Sequence, residues 1–325
     1  MAKPSRVPDG IQKSVRRKRA VLELAEVVCF GMLIPSVVML VDEFPAHNTG
    51  ALVTHVQEII EDDAAIIACL LRGWKVSSAM IGTALGNDAR GKQTARKLKR
   101  LGVLGKVRLT NAYATPYEVD VSDRSGHRTY FWQREPKVLN TLDSADLALL
   151  RDARFLYVDW YDGDHILRAM DEAARLSVPV FMNLEYGHQD PRLLREYVSR
   201  ARIIQASTDA AQREGDPFAV ARVLLDAGAE IVLVTLAGDG CVAATRTELL
   251  RVHAPEVKVV DGCGAGASFS AGFMYGQLRG WDFADSVQFA IAAGSLKCTR
   301  IGLDALPLQE IKRMAKQVKV ESKPW

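Results

Sequence analysis

Residues 257–280, VKVVDGCGAGASFSAGFMYGQLRG, decide the predicted fold of this chain. Four strand-like residues end at Asp261, glycines follow at positions 262, 264 and 266, and an apolar stretch then opens a helix. Glycines let the backbone turn tightly, and the free N–H groups of a new helix, backed by its dipole, attract negative charge. The stretch therefore predicts a strand, a turn that binds an anion such as a phosphate, and a helix.

Three other interpretations of this turn compete with the anion site. A P-loop is excluded, because the turn contains no lysine and no Gly-Lys-Ser/Thr follows it. A dinucleotide fingerprint would use Gly262, Gly264 and Ala267, but that fingerprint normally opens its domain, and here several α/β units come first. The last alternative is purely structural, with glycines that only allow a helix to pack closely on a strand.

The rest of the chain alternates between predicted strands and helices. AEIVLVTL (229–236) is the clearest buried strand, and AAIIACLLRGW (64–74) and DPFAVARVLLDAGA (216–229) are typical of helices. This alternation predicts an α/β fold, a mostly parallel sheet with helices on both faces. No repeat and no Pro/Ser-rich linker divides the chain, so we predict one domain over residues 25–325.

A second, smaller sheet is predicted beside the first. Residues 106–134 alternate polar and apolar side chains around a turn-forming cluster at 122–126, which is a hairpin signal. We expect a β lid from about 36–58 and 106–134 that covers a site. Its aromatic run 130–132 (Tyr-Phe-Trp) is a candidate for contact with a ligand or a partner subunit.

Composition excludes several classes of protein. The chain has 325 residues, and 25% of them are charged, which is usual for a folded domain. The five cysteines show no C-x-x-C pair and the six histidines no ligand spacing, so neither a disulfide framework nor a metal centre is predicted. The chain has no run of about 18 apolar residues, so no membrane span is predicted. A reduced, cytoplasmic setting is expected.

Positive charge is concentrated at the N-terminus. The net charge is +3, but residues 1–20 alone carry seven basic side chains and one acid, which leaves −3 for the remainder. We predict a basic N-terminal tail over 1–24. Nucleic-acid binding is not expected, except through the run at 13–19, for which a solvated tail is the simpler explanation.

VVDGCGAGASFSAGF (259–273) resembles the C-terminal signature of the PfkB (ribokinase-like) carbohydrate kinases, D-T-x-G-A-G-D-x-F-x-A-G-F. IGTALGNDARG (81–91) is similar to the family's I-G-x-x-G-x-D-x-x-G, and VTLAGDGC (234–241) to its V-T-x-G-x-x-G. The resemblance covers about residues 25–315. It implies a ribokinase-like fold and ATP- and Mg²⁺-dependent transfer of a phosphoryl group to an alcohol of a sugar or nucleoside.

The resemblance also implies roles for particular residues. The anion hole for the transferred phosphoryl group would be Gly264, Ala265 and Gly266. The nucleotide side would contain Thr235, Gly238, Gly240 and Asp261. The sugar would lie between the main sheet and the lid, and lids of this kind imply a possible homodimer.

Four positions depart from the family pattern, all on the chemical side of the cleft. The family's catalytic base, the last Asp of the signature, is Ala267, and a methyl group cannot accept a proton. The family's N-terminal G-G-x-x-x-N aligns near Ile59, Ile60 and Ala64. Its metal-linked N-x-x-E aligns near Ser207 and Ala210, and its first-strand Asp aligns at Pro35 or Ser36. We therefore expect weak sugar kinase activity or none. The alternative is a non-catalytic binding or regulatory protein, a pseudokinase with the same fold.

Three further candidates have simpler explanations. Asp261 could replace the missing base, or cap the turn through local N–H groups. Cys263 could have a lowered pKa in an electropositive turn, or be a buried inert thiol. Asp62 and Asp63, with Glu61, stand at a predicted helix start, where the helix dipole explains acidic residues without chemistry.

Overall fold

A computed structural model describes residues 24–207, 215–302 and 306–324. The predicted basic tail, with its run at 13–19, lies outside these residues apart from Leu24. Among the described residues, no helix is both long and apolar enough to cross a lipid bilayer.

The central sheet is mostly parallel. Its parallel strands are β1 (Val27–Gly31), β4 (Ser78–Gly82), β9 (Phe155–Asp159), β10 (Val180–Glu185), β11 (Ile203–Ser207) and β12 (Ile231–Thr235). Antiparallel strands continue it: β13 (Cys241–Ala244), β14 (Leu249–His253) and β15 (Lys319–Lys323). Across the described sheet the order is β15-β14-β13-β12-β11-β10-β9-β1-β4.

Helices cover both faces of this sheet. They are α1 (Asp63–Gly73), α2 (Ala89–Leu101), α3 (Leu167–Arg175), α4 (Pro191–Glu196), α5 (Pro217–Asp226), α6 (Ala265–Leu278), α7 (Phe283–Cys298) and α8 (Leu308–Ala315). Alternate residues of β1 enter two separate cores: Val27 and Cys29 pack with α1, α6 and α7, and Val28 and Phe30 with α3 and α5. Burial on both faces explains why β1 is continuously apolar. The predicted α/β fold is confirmed.

A four-stranded sheet stands beside the main one. It contains β2 (Ile34–Val41), β3 (Val53–Glu61), β7 (Tyr117–Ser122) and β8 (Arg128–Gln133), in the order β3-β2-β7-β8. Residues 106–116, which the sequence prediction included in the lid, lie outside it. There the short strand β6 (Leu109–Thr110) pairs with β5 (Leu85–Gly86). We call the four-stranded sheet the cover sheet.

One predicted strand is wrong. Val257–Val260 forms no strand, and the Val260 N–H donates to the carbonyl of Cys298 at the end of α7. Val259 is 41% exposed, because the chain has already left the sheet after β14. The main chain that enters the glycine-rich turn is therefore bonded to the end of α7, and not to a strand of the main sheet.

The carboxyl ends of the parallel strands share one edge of the main sheet. The cover sheet rises from this edge, because β2 begins only two residues after β1 ends, and β3 runs into α1 across Asp62. In open α/β sheets, ligands bind outside the carboxyl ends of the strands. The region between this edge and the cover sheet is therefore the expected position of a ligand site.

Candidate active site

The glycine-rich turn presents unbonded amides at the start of α6. Gly264 is the N-cap residue with φ 72°, a left-handed conformation that favours glycine. Within residues 24–207, 215–302 and 306–324, no acceptor bonds the N–H groups of Gly264, Gly266 or Ala267. The Ala265 N–H instead donates to the carbonyl of Gly262 at 3.2 Å. Gly266 is exposed, so this helix start is open to an anion.

Ala267, the position of the family's base, is wholly buried. Its exposed fraction is 0%, and its methyl group belongs to the apolar core shared by α1, α6 and α7. The first turn of α6 contains no acidic residue. The position therefore supplies an amide but no group that could accept a proton.

Asp261 is fully buried and fully bonded. Its Oδ1 accepts from the Cys263 N–H at 2.9 Å and the Ser122 hydroxyl at 3.2 Å. Its Oδ2 accepts from Lys297 Nζ and the Gly302 N–H, both at 3.0 Å. The side chains of Asp261 and Lys297 are 0% and 1% exposed. This carboxylate ties the turn to β7 and α7, which agrees with the capping alternative.

Three of the nucleotide-side residues predicted from the sequence, Thr235, Gly238 and Gly240, lie at the end of β12 or just after it. Thr235 donates its hydroxyl to the carbonyl of Ala206 at 3.1 Å, and Gly240 has φ 96°. A Cβ atom on Gly240 would lie 2.0 Å from the carbonyl oxygen of Val252, so only glycine fits there. Gly238 lines an open cavity of about 520 Å³, together with Pro217, Leu236 and Arg251.

Acidic side chains converge at the ends of β9 and β10. Asn183 Nδ2 donates to Asp159 Oδ2 at 2.9 Å and to Asp63 Oδ2 at 3.2 Å, and it lies 3.3 Å from Glu185 Oε1. Asp162 accepts the Met32 N–H at 3.1 Å, and its other oxygen has no partner in the described chain. We call this group, with Asp62, the acidic cluster.

Burial dominates the electrostatics of the acidic cluster. It raises the pKa of Asp63 to about 6, with a further rise from Glu185, and the pKa of Asp162 to about 7. Burial and the neighbouring carboxylates raise the pKa values of Asp62 and Asp159 well above the ordinary range. Part of the cluster is therefore protonated at neutral pH. It can both donate and accept hydrogen bonds, as recognition of a polyol requires.

The helix dipole does not account for the whole acidic run at 61–63. Asp62 is the N-cap of α1 but makes no side-chain cap bond, and it adopts φ 72°. A non-glycine residue in this region costs of order 1 kcal/mol and is often found at functional sites. Asp63 does lie in the first turn of α1, yet its carboxylate bonds Asn183 across the cleft edge.

A second polar group lies between the cover sheet and the glycine-rich turn. The Cys263 thiol donates to Glu61 Oε1 at 2.7 Å, and Ser36 donates to Asp120 Oδ2 at 3.3 Å. Arg128 Nε lies 3.7 Å from Asp120 Oδ1. Of the two alternatives for Cys263, the structure agrees with the buried thiol and not with a lowered pKa: burial, with the nearby Glu61 carboxylate, raises the pKa of Cys263 well above its ordinary value. Burial and Glu61 likewise raise the pKa of Asp120 to about 8.

The departures from the family pattern are placed as follows. Ile59 and Ile60 are buried in β3, paired with Ser36 and Pro35 of β2, and Ala64 is buried in α1. Ser207 ends β11, whereas Ala210 lies outside the described residues.

Sequence reasoning missed several acids of the site, namely Asp120, Asp159, Asp162 and Glu185. A signal existed for three of them. The segment VDWYDGD (158–164) follows a buried strand, and Glu185 ends the next one, so these residues lie at the carboxyl ends of parallel strands.

Comparisons with known proteins give a consistent result. The profile of the pfkB family carbohydrate kinases matches residues 24–310. The ATP-dependent 6-phosphofructokinase of Thermoanaerobacterium thermosaccharolyticum is 24% identical over 254 residues, covering 73% of this chain and 79% of the relative. A putative ribokinase II from E. coli in complex with ATP and Mg²⁺ is similar in structure, with TM-score 0.77, 18% identity, and coverage of 90% of this chain and 100% of that one. A nucleoside kinase from Burkholderia thailandensis in complex with inosine gives TM-score 0.73, 18% identity, and coverage of 90% and 97%.

Proposed function

The chain belongs to the pfkB family of carbohydrate kinases, and on that premise we propose that it transfers a phosphoryl group from ATP to an alcohol of a sugar or nucleoside, but slowly. The observation that carries this proposal is the open start of α6, where the amides of Gly264, Gly266 and Ala267 have no acceptor in the described chain. Three such donors beside the positive end of a helix fit phosphate oxygens.

Phosphoryl transfer depends mainly on positioning and charge stabilisation, so this anion site retains much of what the reaction needs. The missing part is the base. Ala267 cannot take the proton of an acceptor hydroxyl, and all four hydrogen bonds on Asp261 would have to rearrange before it could do so. General-base catalysis contributes about 10²–10⁴ in rate, and the proposed activity is lower by a factor of that order.

The residues of this chain fit ATP better than they fit Mg²⁺, the metal ion that the family uses with ATP. The amides of α6 suit the phosphates, and the cavity beside Gly238 suits the nucleoside end. At the positions of the family's metal-linked motif, Ser207 offers one hydroxyl and Ala210 a methyl group. These two residues do not fit Mg²⁺, so no step is assigned to a metal there.

The acceptor is proposed to bind at the acidic cluster. Partly protonated carboxyls beside Asn183 provide mixed donors and acceptors for hydroxyl groups. Tyr161 and Tyr186, whose hydroxyls lie 3.5 Å apart, form an aromatic wall with Trp160 close by. Pockets for small molecules combine such aromatic surface with a few fixed polar groups.

A second candidate is a protein that binds these ligands without catalysis. The complete bonding of Asp261 favours it, because this carboxylate, the candidate replacement for the lost base, is already held by four donors. This candidate keeps the same nucleotide and acceptor sites.

The proposal also includes a homodimer through the cover sheet. Phe131 on β8 and Val56 on β3 are each 55% exposed, and the strand register places them on the same face of the cover sheet. Exposed apolar residues on one sheet are typical of an interface. Sedimentation of the full chain and of Phe131→Glu tests this part, and a monomeric wild type contradicts it.

The deciding experiment combines ligand binding with turnover. In a thermal-shift assay, Tm should rise with ATP or ADP, since a ligand at about 100 times its Kd adds about 2.7 kcal/mol to the free energy of unfolding. ADP release is then followed with a panel of sugars, phosphosugars and nucleosides. We expect slow turnover with at least one acceptor, raised about 10²-fold or more in Ala267→Asp and not in the isosteric Ala267→Asn.

The outcomes separate the two candidates. Binding without turnover in the wild type and in a folded Ala267→Asp variant supports the non-catalytic protein. Absence of any thermal shift with ATP or ADP in the wild type contradicts both, and this measurement does not depend on how well the variants fold.

A further inference from the structure

We propose that Glu61, Asp120 and Cys263 form a binding site for a divalent transition-metal ion such as Zn²⁺. This site lies between the cover sheet and the glycine-rich turn, and its existence does not depend on phosphoryl transfer. The name "thiolate site" is used for these three residues.

The three residues come from separate elements and meet at one point. Glu61 ends β3, Asp120 lies in β7, and Cys263 lies in the turn before α6. One ligand atom from each lies within 4.8 Å of the others. Bonds of 2.0–2.3 Å to a tetrahedral ion separate ligand atoms by about 3.5 Å, so only small side-chain shifts are needed.

Unpartnered oxygens point independently to a missing ligand. Glu61 Oε2 and Asp120 Oδ1 are buried and accept no hydrogen bond within the described chain. The two residues are 7% and 0% exposed. Buried polar atoms nearly always have a partner, because leaving one unpaired costs about 1–3 kcal/mol. A metal ion between these oxygens and the thiol supplies that partner.

The donor types select the kind of ion. Mg²⁺ and Ca²⁺ prefer ligand sets made only of oxygen, whereas a thiolate with carboxylates suits Zn²⁺ and its neighbours. Three protein ligands also leave a fourth position for water or another ligand, as in open zinc sites. The protons of the Cys263 thiol and of the Asp120 carboxyl, whose pKa is raised to about 8, are released to solvent when the metal binds.

Charge balance agrees with a divalent ion. A thiolate and two carboxylates carry three negative charges, and the Arg128 guanidinium beside Asp120 carries one positive charge. A divalent ion brings the group to neutrality. At 3.7 Å from Asp120 Oδ1, the Arg128 Nε is too far for a good hydrogen bond, so the lone pairs of this oxygen remain available.

Metal binding is measured on the full chain after treatment with a chelator. Zn²⁺ is titrated in competition with a chromophoric chelator, and Co²⁺ is added as a spectroscopic probe. We expect one equivalent of each to bind, with a thiolate-to-cobalt charge-transfer band in the near ultraviolet. Cys263→Ser should abolish this band, and Glu61→Gln and Asp120→Asn should each weaken Zn²⁺ binding at least tenfold.

Cys69→Ser is the matched control, because this cysteine lies in α1 outside the site. It should keep both the band and the affinity. A wild-type chain without the band, or Zn²⁺ binding that is unchanged in Cys263→Ser, overturns the proposal. The wild-type spectrum decides even where a variant fails to fold, and neither result bears on ATP turnover.

Discussion

Removing the cation that holds the glycine-rich turn should destabilise the whole chain. In Lys297→Met the side chain keeps its length and loses its charge. Lys297 Nζ donates to Asp261 Oδ2 and to the Asp261 carbonyl, both at 3.0 Å, and to the Arg300 carbonyl at 3.1 Å. All of these bonds disappear, and the Asp261 carboxylate, 0% exposed, is left without a counter-charge.

The expected cost follows from this burial. Breaking a buried ion pair by removing one partner typically costs about 3–5 kcal/mol, because the remaining charge is uncompensated. Per-residue unfolding entropies give about 1.5 °C in Tm for each kcal/mol in a chain of this length, so Tm should fall by about 4–8 °C. Three other donors still reach Asp261, which keeps the expected loss within this range.

Urea denaturation and thermal unfolding measure this cost. Lys99→Met, at an exposed position of α2, is the matched control and should change stability by less than about 0.5 kcal/mol. The double variant Asp261→Asn/Lys297→Met should be more stable than Lys297→Met alone, because it leaves no unpaired charge. A loss below about 1 kcal/mol in Lys297→Met, or a double variant no better than the single one, refutes the reasoning.

Two further predictions concern pH and backbone conformation. The pKa of Asp162 is about 7 in the fold and about 4 when unfolded, so its contribution to stability is full below pH 4 and is lost as pH rises through 7. Asp162→Asn stays neutral, and three pH units correspond to about 4 kcal/mol. Between pH 4 and pH 8, the free energy of unfolding of the variant should therefore rise by up to that amount relative to wild type. Urea unfolding measures it, and the same variant-minus-wild-type difference at both pH values contradicts the prediction. Gly240→Ala should cost about 2–4 kcal/mol, because the new Cβ would lie 2.0 Å from the Val252 carbonyl oxygen at φ 96°. Gly238→Ala, which meets no atom within 4 Å, is the control, and comparable losses in the two variants would show that the clash does not matter.

The local features of this fold were predictable from the sequence. The run 231–235 is continuously apolar and bounded by turns, so the sequence predicts a buried strand there, as the structure shows. The glycine-rich turn was found because glycines at alternate positions before an apolar helix have few structural uses. The short antiparallel strands β13, β14 and β15 were missed, since their pattern is brief and β15 is largely exposed.

The composition of the candidate site was less predictable, because the fold assembles it from distant segments. Cys263 was noticed for its place in an electropositive turn. Burial raises its pKa, and a further rise comes from its partner Glu61, which lies 202 residues away in sequence. Asp120 could not be recognised as a site residue for a related reason. An acidic residue in an alternating strand usually faces solvent, and here only the packing of the cover sheet on the turn buries it.

The junction between β3 and α1 places one carboxylate on the cover sheet and a nearby one on α1. A single residue, Asp62, separates Glu61 of the cover sheet from Asp63 of the helix that packs on the main sheet. Any tilt of the cover sheet would move Glu61, whereas Asp63 is bonded to Asn183 at the edge of the main sheet. The distance between these two carboxylates, two positions apart along the chain, would therefore change with the angle between the two sheets.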